Sequence, residues 1–185
     1  MLMRSAPGLI HNSCMTAALI FDTLASVAHW RAIDDQVMGG MSASRMRFDP
    51  ASFAVFEGVV SLENNGGFAS VRAACSALAG EHISGYQLTV RGDGKRYKLN
   101  LRTDDAFDGV NYQAVFVPPA GVWVTLTLHV ADFQPTWRGR PVPEAGPLHP
   151  ARVCQLGWMV ADRQAGPFAL AIASIVCLQE PAGAR

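Results

Sequence analysis

Tyr86-Gln-Leu-Thr-Val-Arg-Gly-Asp-Gly-Lys-Arg-Tyr-Lys-Leu-Asn-Leu101 is the stretch that decides the fold. Apolar and polar side chains alternate through Tyr86–Val90 and again through Tyr97–Leu101. A period of two sends successive side chains to opposite faces of a strand. Gly92-Asp93-Gly94 lies between the two runs, and an Asp-Gly step suits a tight hairpin, so the stretch reads as two paired strands. Val122–Leu128 continues the pattern, with Trp123, Thr125 and Thr127 on the face opposite Val122, Val124 and Leu126. That face exposes Trp123, whereas Trp158, between Leu156 and Val160, reads as core.

Weaker alternation marks 17–21, 45–48, 53–60, 68–72, 111–117, 153–160 and 168–176. Asn64-Asn65-Gly66-Gly67, Pro118-Pro119 and Ala165-Gly166-Pro167 punctuate these runs. No window keeps apolar residues at helical spacing for three turns, and only Cys75–His82 suggests one short helical turn. Pro135–Pro150, with five prolines, reads as a long surface loop that exposes Trp137, Arg138 and Arg140. About ten short strands at regular spacing predict an all-β sandwich or barrel. The organisation expected is one domain over residues 15–178, with tails at 1–14 and 179–185.

Composition narrows the function. The 185 residues carry 15 basic and 15 acidic side chains, and half are apolar, so the chain collapses and has no electrostatic hold on nucleic acid. Cys14, Cys75, Cys154 and Cys177 show neither zinc-ligand spacing nor a disulfide framework, which fits free thiols in a reducing compartment. Asp22 interrupts the only signal-like apolar run, and no stretch is long enough to span a bilayer. The expectation is a cytoplasmic protein without cofactor or metal.

Several groups invite a chemical reading. Asp34 and Asp35 could be hydrolase carboxylates or calcium ligands, or could simply bind the backbone N–H groups of Gln36 to Gly40. Met38-Gly39-Gly40 and Asn64-Asn65-Gly66-Gly67 precede no helix and carry no lysine at a phosphate-loop offset, so positive φ or close backbone crossing is their plain use. The five histidines are scattered, no G-x-S-x-G occurs, and Cys75 has no nominated partner, so an enzyme is not expected.

Trp30–Ser42, Glu63–Arg72, Arg91–Leu99, Asp132-Phe133 with Arg138-Gly139-Arg140, and Asp162–Phe168 occur in an order that resembles the complex I intermediate-associated protein 30 family. The resemblance runs over about residues 17–178. It implies a jelly-roll β-sandwich of galactose-binding-domain type. It also implies a non-enzymatic assembly factor or chaperone that holds protein subunits of respiratory complex I, or of another membrane-associated complex. The chain looks like a compact bacterial member, without the Rossmann unit of plant relatives. The alternative is a carbohydrate-binding module of the same fold, with Trp123 or Trp137 as its sugar platform. Asp35, Asn64, Asn65, Arg91, Asp93, Arg96, Trp123, Trp137, Arg138, Arg140 and Asp162 are the expected partner- or ligand-binding face. Arg forks and Asn amides recognise carboxylates and peptide groups with fixed geometry. The same polar residues could instead form an internal network, for instance Arg96 with Asp93 or Asp35.

Overall fold

The computed structural model describes residues 18–106 and 108–179. The expected tail at 1–14 and all but Gln179 of the tail at 179–185 lie outside the described residues. Among these residues thirteen strands form two antiparallel sheets. The first contains β1 (Ala18–Ile20), β3 (Ala43–Asp49), β4 (Phe53–Val60), β6 (Ile83–Arg91), β9 (Trp123–His129) and β13 (Gly166–Gln179). Its order is β3-β4-β13-β6-β9, with β1 also paired to β13. The second contains β2 (Arg31–Ala32), β5 (Ala69–Ala74), β7 (Tyr97–Arg102), β8 (Asn111–Phe116), β10 (Gln134–Trp137), β11 (Arg140–Pro141) and β12 (Gln155–Val160), in the order β11-β10-β8-β7-β12-β5-β2. Among the described residues there is no α-helix, and no helix is long and apolar enough to cross a membrane.

The alternation sorts side chains as it should. Phe56, Tyr86, Leu88, Val90, Leu170 and Ile172 of the first sheet meet Val71, Leu99, Leu101, Leu156, Trp158 and Val160 of the second, all buried. Tyr97 sits at the centre of an aromatic group, with Phe56, Phe116 and Phe168 at ring-centroid distances of 6.1–6.4 Å. Burying these apolar faces against each other is the main driving force for the sandwich.

Three local expectations need correction. The Gly92-Asp93-Gly94 step does not close a hairpin, because β6 pairs with β13 and β9, while β7 pairs with β12 and β8. Residues 92–96 cross from one sheet to the other. Both ladder edges of the nine-residue β6 are taken by the longer β13 and by β9, and crossing over lets Tyr97 face Phe56 and Phe168 across the core. Second, the proline-rich loop opens with structure. Arg138 and Gly139, with φ of 48° and 75°, form a two-residue turn joining β10 to β11, and two positive φ values suit a right-twisted hairpin. Third, Cys75–His82 makes turns rather than a helix, and they seat Leu78 at 0% exposure.

Asp93 anchors the crossover. Its carboxylate accepts hydrogen bonds from the Tyr97 hydroxyl at 3.0 Å, the Ala169 N–H of β13 at 3.0 Å and the Lys95 N–H at 3.0 Å. Asp93→Ala should therefore cost about 1–3 kcal/mol, because it orphans donors on two different sheets. Urea denaturation measures this; a loss below a few tenths of a kcal/mol would mean the crossover does not rely on that carboxylate.

Candidate functional site

The strand register gathers most of the polar motif residues at one end of the sandwich. The loops 33–42, 61–68, 92–96 and 161–165 all lie there, beside the start of β3, β5, β7 and β13. Asp34 and Asp35 form the buried centre of this end, at 8% and 1% exposure. Asp34 accepts from the Ser44 N–H at 2.9 Å, the Ser44 hydroxyl at 2.6 Å and the Ser70 N–H at 2.9 Å. Since Ser44 is on β3 and Ser70 on β5, this one carboxylate links the two sheets. Asp35 accepts from the Ser42 N–H at 2.9 Å, the Ser42 hydroxyl at 2.6 Å, and the N–H groups of Gly67 and Phe68 at 2.8 and 3.3 Å.

These partners are not the turn N–H groups of Gln36 to Gly40 that proximity in sequence suggests. They lie across the fold, and they account for the paired glycines. A β-carbon on Gly66 would stand 2.7 Å from Oδ2 of Asp35, and one on Gly40 would strike the same carboxylate. Asp35 is thus removed from any exposed binding face. Burial pushes its carboxyl up, but the four donors from Ser42, Gly67 and Phe68 outweigh it and hold it below the ordinary carboxylate value. A carboxylate held ionised and saturated in this way is a poor proton donor. Glu57 of β4 is occupied by Arg45 and Arg47 on the first sheet.

The rest of this end is also largely knitted to itself. Asp162 pairs with Lys98 at 3.0 Å and Arg96 at 3.2 Å, and the Gln164 amide bridges both the N–H and the carbonyl of Arg96. Arg96 therefore meets Asp162, not Asp93 or Asp35. Asn64 and Asn65 are exposed with φ of 52° and 62°, a left-handed backbone that asparagine tolerates better than most residues. Arg91 lies over the rings of Phe53 and Trp123, at 5.4 and 5.1 Å, on the outer face of the first sheet. Trp123 is 38% exposed, but Phe53 meets it edge-on and Arg91 covers it, so its indole is already packed.

Trp137, Arg138 and Arg140 sit at the opposite end, since β10 runs from Gln134 toward the start of β8 and the end of β7. The Arg138 guanidinium stacks 4.7 Å from the Trp137 ring and grips the Asp108 carboxylate, its Nη2 at 2.6 Å, while the Trp137 indole N–H donates to the Asp108 carbonyl. The expected set of eleven residues is thus divided between two ends of the molecule and does not converge.

A different surface does converge. Directly opposed residues in an antiparallel ladder point to the same face, and the register aligns Arg31, Arg72, Gly157, Asn100, Gln113 and Gln134 in one row across the second sheet. Their sequence neighbours Val71, Leu99, Trp158, Ala114 and Tyr112 fill the core, so the row faces outward. Lys98 and Arg102 flank it on β7, and Lys98, Gln113, Val115, Asp132, Gln134 and Thr136 line a groove at its β10 end. Arg102 is 1% exposed and pairs with Asp104 at 3.0 Å. Asn100 is 8% exposed, and its Oδ1 meets no hydrogen-bond donor among the described residues. The alternation at Tyr97–Leu101 signals Lys98 and Asn100 as outward-facing, but the row itself spans six strands and becomes visible only with the strand order.

No cluster of three or more His, Cys, Asp or Glu suited to a metal occurs among the described residues. Burial pushes the thiols of Cys75 and Cys154 up, and that of Cys177 up to about 11, the reverse of an activated nucleophile.

Two antiparallel sheets packed face to face, with connections that cross between them, define a jelly-roll sandwich of the galactose-binding-like type. The family model for complex I intermediate-associated protein 30 matches residues 19–172, and the chain belongs to that family. It is 25% identical to the mitochondrial complex I intermediate-associated protein 30 of Neurospora crassa, over 91% of this chain and 72% of that one. It is 26% identical to an uncharacterised protein of Schizosaccharomyces pombe, over 79% and 76%. Among solved structures it superposes on the family 11 carbohydrate-binding module of a Clostridium thermocellum cellulase with a TM-score of 0.64, at 11% identity, covering 89% of this chain and 97% of that one. The same module in complex with a mixed-linked tetrasaccharide gives 0.62, at 12% identity, over 86% and 94%. These likenesses establish a shared sandwich.

Two outcomes follow from the Asp35 cradle. Gly66→Ala should destabilise the protein by about 1–3 kcal/mol through its collision with the carboxylate. Because the folded-state value of Asp35 is lowered, its contribution is complete above the unfolded value near pH 4 and is lost as pH falls through the folded one. Asp35→Asn should therefore be less stable at neutral pH yet show a shallower acid-side loss; an unchanged slope in urea titrations from pH 7 downward would refute the assignment.

Proposed function

We propose that this chain is a non-catalytic binding domain that holds protein subunits of respiratory complex I, or of a related membrane-associated assembly, while the complex is built. Its membership of the complex I intermediate-associated protein 30 family carries the reading. The site supports it. The two aspartates best placed for chemistry are committed to the scaffold, and the thiols are raised rather than activated. What remains available is an outward sheet face bearing amides and guanidinium groups, groups that bind and orient without transforming. On this reading Cys75, Cys154 and Cys177 stay free thiols, and the protein works in a reducing, cytoplasmic setting.

The carbohydrate-binding alternative has the common sandwich behind it. A sugar site would want an uncovered aromatic plane. Arg91 packs against Trp123 and Arg138 against Trp137, which keep 38% and 40% exposure, and the outward positions of β5, β7, β8, β10 and β12 carry no aromatic side chain.

Affinity capture of the tagged chain from its own cells, with identification by mass spectrometry, tests the proposal. Complex I subunits should be enriched, and deletion of the gene should lower assembled complex I. Capture without such subunits, together with normal complex I levels in the deletion strain, would contradict it.

A further inference from the structure

The row across the second sheet carries an unbalanced charge pattern. Arg31 and Arg72 stand directly opposite each other on β2 and β5. Like charges in that position repel by an amount comparable to a typical cross-strand attraction. Arg102 lies close enough to Arg72 to act on it electrostatically, and Asp104 is already engaged with Arg102. Among the described residues no carboxylate makes a salt bridge to Arg31 or Arg72. Burial and the Arg102 charge both push the Arg72 guanidinium below its ordinary value, and Asp104 relieves this only in part. Arg45, Arg47, Arg96, Lys98, Arg102 and Arg138 have an acid beside them, whereas Arg31 and Arg72 have each other on one face.

Next along the row, Gly157 supplies no side chain. A β-carbon there would approach the Val71 carbonyl at 2.9 Å and stand beside Asn100 and Arg72, so glycine leaves a slot floored by backbone. Beyond the slot lies Asn100, whose Oδ1 is buried and meets no donor among the described residues. Gln113 and Gln134 continue with paired donors and acceptors into the groove that Lys98 borders. One end of the row thus presents cationic forks, the middle a slot, and the far end amides.

We infer that the outer face of the second sheet receives an extended, acidic segment of a partner protein, with a carboxylate bridging Arg31 and Arg72 and the segment's peptide groups meeting Gln113 and Gln134. This rests on the partner-holding reading above and names the chemistry of the partner. Two guanidinium groups match carboxylates in fixed geometry, and amide side chains match a peptide backbone, which offers one donor and one acceptor per residue. A net charge of zero leaves the chain without the broad basic surface that nucleic acid requires. The absence of aromatic side chains at the outward positions of this face removes the stacking platform of a sugar site.

The full-length protein is titrated with a fluorescein-labelled poly-glutamate peptide and followed by fluorescence anisotropy at low and moderate salt. Arg31→Glu changes an exposed side chain, Arg72→Gln keeps most of the half-buried stem, and circular dichroism checks that both variants fold. Each should weaken peptide binding about tenfold or more, salt should weaken it further, and Arg45→Gln on the other sheet should bind like the parent. Equal affinity of the parent and both variants overturns the inference. So does preferential binding of poly-galacturonate, of inorganic phosphate or of poly-lysine. In the capture experiment, recovery of the same complex I subunits by the parent and the Arg31→Glu variant would sink this site while leaving the assembly role intact. Recovery of none by the parent would sink the assembly role itself.

Discussion

Two adjacent carboxylates hold the two sheets together at one end of the sandwich. Asp34 reaches Ser44 at the start of one sheet and Ser70 at the start of the other, and Asp35 does the same through Ser42, Gly67 and Phe68. Hydrogen bonds to an ionised acceptor are roughly twice as strong as neutral ones, and here seven of them converge on two side chains. Hydrophobic burial brings the sheets face to face, but it is non-directional. The aspartate pins fix which loop lies against which, and the glycines at 40 and 66 exist in their present form because the Asp35 carboxylate occupies the space beside them.

That arrangement redistributes the polar residues of the motifs. Asp35, Asp93, Arg96 and Asp162 join strands and loops of the protein to each other, and Arg91 and Arg138 lie against Trp123 and Trp137. A scaffold so closed at its ends leaves the broad outer face of the seven-stranded sheet as the place for recognition. The contrast lies in pairing. Lys98, Arg96, Arg45 and Arg138 each have an acid beside them, whereas Arg31 and Arg72 face one another. Like charges placed opposite each other repel, and a partner that supplies a carboxylate between them removes that cost.

Much of the fold was legible in the sequence because alternation is a local signal. Tyr86–Val90, Tyr97–Leu101 and Val122–Leu128 declare strands and faces, and Trp158 declares itself as core between Leu156 and Val160. Strand partners are not a local signal. Gly92-Asp93-Gly94 has the chemistry of a hairpin turn, yet the ladder offered by β13 and the aromatic group around Tyr97 send it across the sandwich. The proline-rich stretch conceals a short hairpin because its turn uses Arg138, a residue rarely found at positive φ. The candidate site suffered most from this limit. Asp34 and Asp35 bind serines far away in sequence, and the row from Arg31 to Gln134 draws one residue from each of six strands, so no spacing rule could reveal it.

The most direct test of the account is covalent footprinting of arginine side chains on the chain alone and while bound to the assembly intermediate it is captured with. The account predicts loss of reactivity at Arg31 and Arg72 in the bound state, with Arg138 and Arg140 at the other end still labelled. Full labelling of Arg31 and Arg72 in that complex, or protection confined to Arg138 and Arg140, would contradict it.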